Sequence, residues 1–91
     1  STAFLGVATQ QTDSGLEVTQ VVSGSAADDG GIEVGDVITS FDGTRVTTPA
    51  QLASAVGNLS PGDTARVTIT RNGETRTITV ELGSRGAANS N

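Results

Sequence analysis

The stretch of residues 24–38 constrains the fold of this chain more than any other segment. It holds four glycines, a run of small residues and an acidic pair, and it ends in an apolar alternation. Ser25 can cap a short helix, because its hydroxyl oxygen can accept a free backbone N–H of the first turn. A single helical turn is therefore predicted over residues 26–29. Gly30 or Gly31 is expected to end it in the left-handed conformation, which glycine adopts at little cost.

A strand is predicted on each side of that helical turn. Before it, residues 16–22 alternate apolar and polar side chains, which is typical of a strand with one buried face, although an apolar doublet at the end leaves the register open there. After it, a Gly-Asp turn at 35–36 leads into a strand at 37–41, and an Asp-Gly turn at 42–43 stops that strand. Together these elements make a compact structural unit rather than a catalytic loop.

A second helix begins at the Thr-Thr-Pro segment. Thr48 can cap the helix, Pro49 occupies its first position, and Gln51 completes a Thr-x-x-Gln capping box. The helix is predicted to run to about Asn58. An apolar stripe at three- and four-residue spacing is expected to pack on the core: Leu52, Ala55, Val56 and Leu59. A neighbouring row of small residues, which is an unusual choice for a face that meets only water, comprises Ala50, Ala53, Val56 and Gly57.

The C-terminal half of the chain predicts a β-hairpin. Residues 64–70 and 75–82 both alternate, and the Asn-Gly pair at 72–73 between them is a strong signal for a two-residue turn. With the other elements this gives two helices and five or six strands, an α+β fold built as a small half-open barrel or sandwich. Residues 1–3 are expected to be a linker, and the Gly/Ala/Ser/Asn-rich residues 83–91 a disordered tail.

Composition excludes several classes of function. The chain has no Cys, His or Lys, so it lacks the residues of Ser-His-Asp and Cys-His triads, of Schiff-base chemistry and of lysine-bearing phosphate loops. Five basic against ten acidic residues give a net charge of −5, and there are only two aromatic residues, which argues against a nucleic-acid partner. No apolar run approaches the roughly 20 residues of a membrane span. We expect no catalytic residue, no cofactor and no membrane insertion.

The acidic residues could in principle serve as metal ligands or as catalytic groups. Calcium loops place oxygen ligands on alternate residues and end in a bidentate Glu, and the spacing of Asp28, Asp29 and Asp36 does not match. We interpret these side chains as solvated surface and expect no metal site. A hydrolase based on paired carboxylates has no supporting spacing either, since Asp36 and Asp42 are explained as turn residues.

The segment Phe4-Leu5-Gly6-Val7 has two interpretations. One is an N-terminal strand that packs into the core, with Gly6 at a bulge. The other is a loop of free backbone N–H groups that binds an anion, in which Gly6 lets the backbone approach its guest closely. Taken without the rest of the chain, these four residues favour the first interpretation, since a glycine within a strand is common.

This segment and residues 24–38 together resemble the PDZ domains of bacterial HtrA-type serine proteases. The resemblance covers roughly Phe4 to Leu82 and implies the bacterial, permuted order, in which the groove strand comes first. It implies that Phe4, Leu5, Gly6 and Val7 bind the C-terminal carboxylate of a peptide. It further implies that the peptide lies as an added strand between a groove strand and the second helix. The groove strand includes Ala8 and Thr9, and the helix side consists of Ala50, Ala53, Val56 and Gly57.

The resemblance also implies a biological setting. The parent protein is expected to be a serine endopeptidase of the cell envelope, and the module to bind peptides or unfolded proteins with apolar C-termini beside the parent's protease domain. An alternative remains open, namely a structural or assembly domain whose groove docks a neighbouring domain or subunit. Gly6→Val is expected to abolish peptide binding without unfolding the domain.

Overall fold

The computed structural model describes residues 3–84. Within that range the chain forms eight strands and two helices. No helix of this range is long and apolar enough to cross a membrane. The elements in chain order are β1 (Ala3–Phe4), β2 (Val7–Thr12), β3 (Gly15–Val21), α1 (Ala26–Gly30), β4 (Val37–Phe41), β5 (Thr44–Arg45), α2 (Pro49–Gly57), β6 (Thr64–Arg71), β7 (Glu74–Glu81) and β8 (Gly83–Ser84).

The strands form one antiparallel sheet and one short ribbon. The sheet has six strands in the order β2-β3-β4-β6-β7, with β5 paired to β4 off this path. Strands β1 and β8 pair separately and bring the two ends of the described chain together. Helix α1 packs on β7, while α2 lies beside β1, β2 and β4. This confirms the predicted α+β architecture with two helices, and it leaves β2 as an edge strand of the sheet.

The core is aliphatic around one aromatic ring. Its members on β3 and β6 come from the apolar face of the predicted alternations, and Leu16, Ile38 and Phe41 have no exposed surface. On α2, Leu52 and Val56 are buried while Ala55 and Leu59 pack against the core from its margin, as the apolar stripe predicts. Burying these side chains is the main stabilising contribution, at about 1.5–3 kcal/mol for each large one.

The register left open at the end of β3 is settled by a bulge. Ala8 pairs with Gln20 but Thr9 pairs with Val18, so β3 carries one extra residue at this point. The extra residue shifts the alternation, and Val21 packs against the core. Val22 follows it and is 42% exposed.

The turns and caps predicted from sequence are present. Ser25 accepts a hydrogen bond from Asp28 N–H, and Gly31 ends α1 at φ = 93°. In α2 the capping box between Thr48 and Gln51 is complete in both directions. The hairpin turn of β6 and β7 has positive φ at both Asn72 and Gly73, as a two-residue turn of this twist requires.

Asp36 is not the solvated turn residue that its sequence context predicts. Its carboxylate is 2% exposed and accepts hydrogen bonds from Nε and Nη2 of Arg71 at 2.8 and 2.7 Å. The N–H of Glu33 donates to the same carboxylate at 2.9 Å. The Arg71 hydrogen bond, supported by that N–H, holds the pKa of Asp36 below its ordinary value against the opposing effect of burial. The prediction failed because Arg71 lies 35 residues away along the chain.

The ends of the domain extend slightly beyond the predicted boundaries. Ala3 belongs to β1 and is 5% exposed, so it is part of the core rather than of a linker. Strand β8 places Gly83 and Ser84 in the ribbon rather than in a tail. The rest of the predicted linker and tail lies outside the described residues.

Candidate functional site

An apolar groove runs between β2 and α2. Its volume is about 490 Å³, and its lining includes the segment of residues 4–7, which we call the Gly6 loop. Among the lining residues within the described range 3–84, only Thr9 has a polar side chain, and none is charged. The lining residues are Ala3, Phe4, Leu5, Gly6, Val7, Ala8, Thr9, Pro49, Leu52, Ala53, Val56 and Gly57.

The Gly6 loop is fixed from behind by two backbone hydrogen bonds. The N–H of Ala27 donates to the carbonyl of Leu5 at 2.9 Å, and the N–H of Val22 donates to the carbonyl of Gly6 at 2.8 Å. In a planar trans peptide the N–H points opposite to the carbonyl. The N–H groups of Gly6 and Val7 are therefore directed away from α1 and β3, towards the groove. Within residues 3–84 no backbone carbonyl accepts from the N–H of Leu5 or Gly6.

The backbone at position 6 imposes two requirements that only glycine meets. Its φ is 91°, in the region that L side chains rarely adopt. A Cβ atom at this position would collide with the side chain of Ser25, the N-cap of α1. Gly6→Val would therefore strain both the loop and the cap of α1, which argues against the expectation that this substitution leaves the fold intact.

Strand β2 presents unpaired backbone groups to the groove. The bond between Val22 and Gly6 makes Val7 and Val21 a non-hydrogen-bonded pair. Thr9 faces Val18, whose N–H and C=O are instead bonded to the 35–36 turn. The N–H and C=O of Val7 and Thr9 therefore point away from β3. Edge groups of this kind are ready to pair with an additional strand.

Helix α2 forms the opposite wall. Pro49, Leu52, Ala53, Val56 and Gly57 follow the spacing of one helix face and all line the groove. Ala53 is exposed, so its small side chain leaves open space in the centre of this wall. The complete capping box fixes the start of the helix beside β2.

The structure brings together nine of the ten site residues predicted from sequence. Ala50 is the exception, because it lines a separate cavity of about 430 Å³ between α2 and the β4–β5 hairpin. Sequence reasoning missed Ala3, Pro49 and Leu52 as lining residues. Pro49 and Leu52 could have been found from helical spacing, because Pro49 lies four residues before Ala53 and Leu52 lies four residues before Val56.

No group of three or more His, Cys, Asp or Glu side chains within residues 3–84 is arranged to hold a metal ion.

Comparison with known proteins identifies the fold family. Residues 3–82 match the family described as PDZ domain. This chain is a PDZ domain. The match runs through both walls of the groove and the Gly6 loop.

Curated relatives of this PDZ domain are probable periplasmic DegP-like serine endoproteases. The protein from Hahella chejuensis is 39% identical over 69 residues, which are 76% of this chain and 15% of the relative. That from Rhizobium meliloti is 41% identical over 69 residues, and that from Pseudomonas fulva 37% over 99 residues covering 96% of this chain. The chain spans only 14% and 21% of those two relatives.

Solved structures agree with this assignment. The HtrA-type protease AlgW, determined with a decapeptide, superposes with a TM-score of 0.87 at 25% identity, over 92% of this chain and 30% of AlgW. The HtrA3 PDZ domain, determined with a phage-derived ligand, has a TM-score of 0.77 at 22% identity, over 88% of this chain and 84% of its own length. At this identity the similarity bears on the fold alone. The resemblance to PDZ domains of HtrA-type proteases is confirmed.

Proposed function

We propose that this PDZ domain binds the C-terminal segment of a peptide as an additional antiparallel strand on β2. The observation that carries the proposal is the set of backbone groups of Val7 and Thr9 that point into an apolar groove. Main-chain hydrogen bonds to such an edge supply affinity independent of sequence, while the groove walls select side chains. AlgW with its decapeptide supports the proposal as a similar protein that holds a peptide.

The terminal carboxylate is assigned to the Gly6 loop. The N–H groups of Leu5, Gly6 and Val7 are its donors, because successive unpaired N–H groups form a concavity suited to an anion. Within residues 3–84 no charged side chain lines the groove, so none of these residues adds an ion pair to the carboxylate, and the net charge of −5 opposes an anionic guest. We therefore expect affinity on the order of micromolar, about −8 kcal/mol.

The last side chain of the peptide is assigned to the pocket beside the loop. Phe4, Val7, Leu52, Ala53 and Val56 give this pocket apolar walls, and Ala53 leaves room in it. A polar terminal side chain would lose water there without gaining a partner. The preferred terminal residues are accordingly Val, Leu, Ile, Ala and Phe.

The parent protein is proposed to be an HtrA-like serine endopeptidase outside the cytoplasm, as the names of the curated relatives indicate for those proteins. In that setting the domain recognises peptides or unfolded proteins with apolar C-termini and regulates the protease domain. The chain itself contains no His and hence no Ser-His-Asp triad.

The same groove is compatible with one other role. An extended apolar segment of a neighbouring domain or subunit can pair with β2 as well as a free peptide can, because edge pairing does not need a terminal carboxylate. The two roles differ in their dependence on that carboxylate.

A pair of peptides separates these roles. A fluorescent peptide ending in Val, prepared as the free acid and as the amide, is titrated with the domain by anisotropy. Peptide recognition predicts a dissociation constant near micromolar for the acid and at least about tenfold weaker binding of the amide, since a charge-assisted contact is lost. Equal binding of the two peptides would support internal docking, and absence of binding to either would contradict the proposal.

A further inference from the structure

Helix α1 is too short to hold its own position. It contains five residues, and a single helical turn is unstable in isolation because nucleation fixes several residues for very few hydrogen bonds. Its place in the fold therefore depends on its packing against β7 and on what fixes its two ends. Both ends make specific polar contacts to other parts of the chain.

The N-terminal end of α1 supports the Gly6 loop. Ala27 has no exposed surface, and its N–H is the donor to the carbonyl of Leu5 at 2.9 Å. Ser25, one residue before the helix, occupies the space behind Gly6. The orientation of the loop thus depends on the position of the first residues of α1.

The C-terminal end of α1 is attached to Arg71 at the end of β6. Nη2 of Arg71 donates to the carbonyl of Gly31, the C-cap residue, at 2.9 Å. The same guanidinium forms the two-bond pair with Asp36, whose carboxylate also accepts from the N–H of Glu33. Planar, two-bond contacts of this kind fix direction as well as distance.

One residue connects the two ends. The carbonyl of Ala27 accepts from the N–H of Ile32 at 2.9 Å, while its N–H holds Leu5. Arg71 anchors the turn that contains Ile32, between Gly31 and Asp36. A continuous set of hydrogen bonds therefore runs from the Arg71–Asp36 pair through Ala27 to the Gly6 loop.

We propose that Arg71 and Asp36 are positioning residues for carboxylate binding, which they support through α1 without touching the ligand. If Ala27 moves, the Leu5 carbonyl loses its donor. The N–H of Gly6 then turns with that carbonyl, because both belong to one rigid peptide plane. The pair thus keeps the donors of the loop aligned for a carboxylate. This inference rests on the proposed function of the loop.

The test compares two arginines of the same hairpin. R71Q removes the pair, while R76Q removes the same charge from an exposed pair with Glu74 at 3.2 Å and serves as the matched control. Each variant is titrated with the Val-terminated peptide as free acid and as amide. R71Q is expected to weaken binding of the acid by about fivefold, at the low end of coupling between linked sites, and to leave the amide unchanged. R76Q is expected to preserve the wild-type ratio of acid to amide.

The ratio distinguishes positioning from a general loss of stability. Partial unfolding weakens acid and amide equally, because both bind the same folded fraction. A folded R71Q protein that keeps the wild-type ratio would overturn the proposal.

Hydrogen exchange of the wild-type protein provides a second test that does not require the variant to fold. The amides of Ala27 and Glu33 should open with the same free energy, since one set of contacts holds both. Independent opening of Ala27 at a clearly lower free energy would contradict the proposal. This measurement involves no peptide, so it tests the coupling of the Arg71–Asp36 pair to α1 separately from the proposed function, which fails if the wild-type domain does not distinguish acid from amide.

Discussion

The side chain of Ser25 occupies the space that a Cβ atom at Gly6 would need. Ser25 also caps α1 by accepting a hydrogen bond from Asp28 N–H at 3.3 Å. The residue that caps the helix thus also packs behind the loop. The position of the loop and the position of the helix therefore depend on each other, although the two segments lie about twenty positions apart in the sequence.

Gly6→Ala should destabilise the domain by about 3 kcal/mol. Roughly 1–2 kcal/mol comes from a side chain in the left-handed region, and the remainder from crowding against Ser25. Gly57→Ala is the control, because its new Cβ meets no atom within 4 Å and its φ is not positive. The control should be neutral or more stable by up to about 1 kcal/mol. Urea unfolding of both variants measures the difference, and equal stabilities would contradict the assigned role of Gly6.

Ala53→Phe should weaken binding of the Val-terminated peptide by roughly tenfold or more, because the new ring fills the groove opposite the Gly6 loop. Ala50→Phe is the matched control, since Ala50 is also exposed on α2 but lines the other cavity. Anisotropy titration gives both dissociation constants. If Ala50→Phe impairs binding as strongly as Ala53→Phe, the ligand does not lie in the groove between β2 and α2.

Asp36→Asn should cost about 2 kcal/mol at pH 7, as expected for hydrogen bonds to a charged group. Because Arg71 lowers the pKa of Asp36 in the folded protein, this contribution is complete above the unfolded-state pKa near 4 and is lost as the pH falls below it. The stability difference between wild type and variant should therefore shrink as the pH falls below about 4. Urea unfolding from pH 7 to pH 2.5 measures it. A difference that is constant with pH would show that the charge of Asp36 contributes nothing.

Thr48→Ala should destabilise the domain by about 1 kcal/mol, because the N–H of Gln51 loses its acceptor at 3.1 Å. Ser54→Ala lies on the exposed part of the same helix and should be neutral or slightly stabilising, since alanine has the higher helix propensity. Thermal unfolding compares the two variants. Equal effects would mean that the capping box does not fix the start of α2.

Local signals were sufficient to predict most of the fold. The caps at Ser25 and Thr48, the αL residue at Gly31 and the Asn72-Gly73 turn each act within a few residues, so their chemistry can be read directly from the sequence. The resemblance to a known family then supplied the relative placement of β2 and α2. Neither source alone would have located the groove.

What could not be predicted depends on long-range contacts. The sequence around Asp36 predicts a surface residue, because its partner Arg71 lies on another strand. The crowding of Gly6 by Ser25 cannot be predicted from the sequence either, because these two residues come close only in the folded chain. Residue size predicts that Ala50 lines the groove, but the orientation of the helix, set by the packing of Leu52 and Val56, turns Ala50 towards the other cavity.

The most direct test of the central claim is an NMR titration of the labelled domain with the Val-terminated peptide in its acid and amide forms. We predict that the acid shifts the amides of Leu5, Gly6, Val7 and Thr9 together with those of residues 53–57 on α2. The amide form should leave the Gly6 loop nearly unchanged. Shifts confined to other surfaces, or identical shifts of the loop with both forms, would contradict carboxylate-directed binding in this groove.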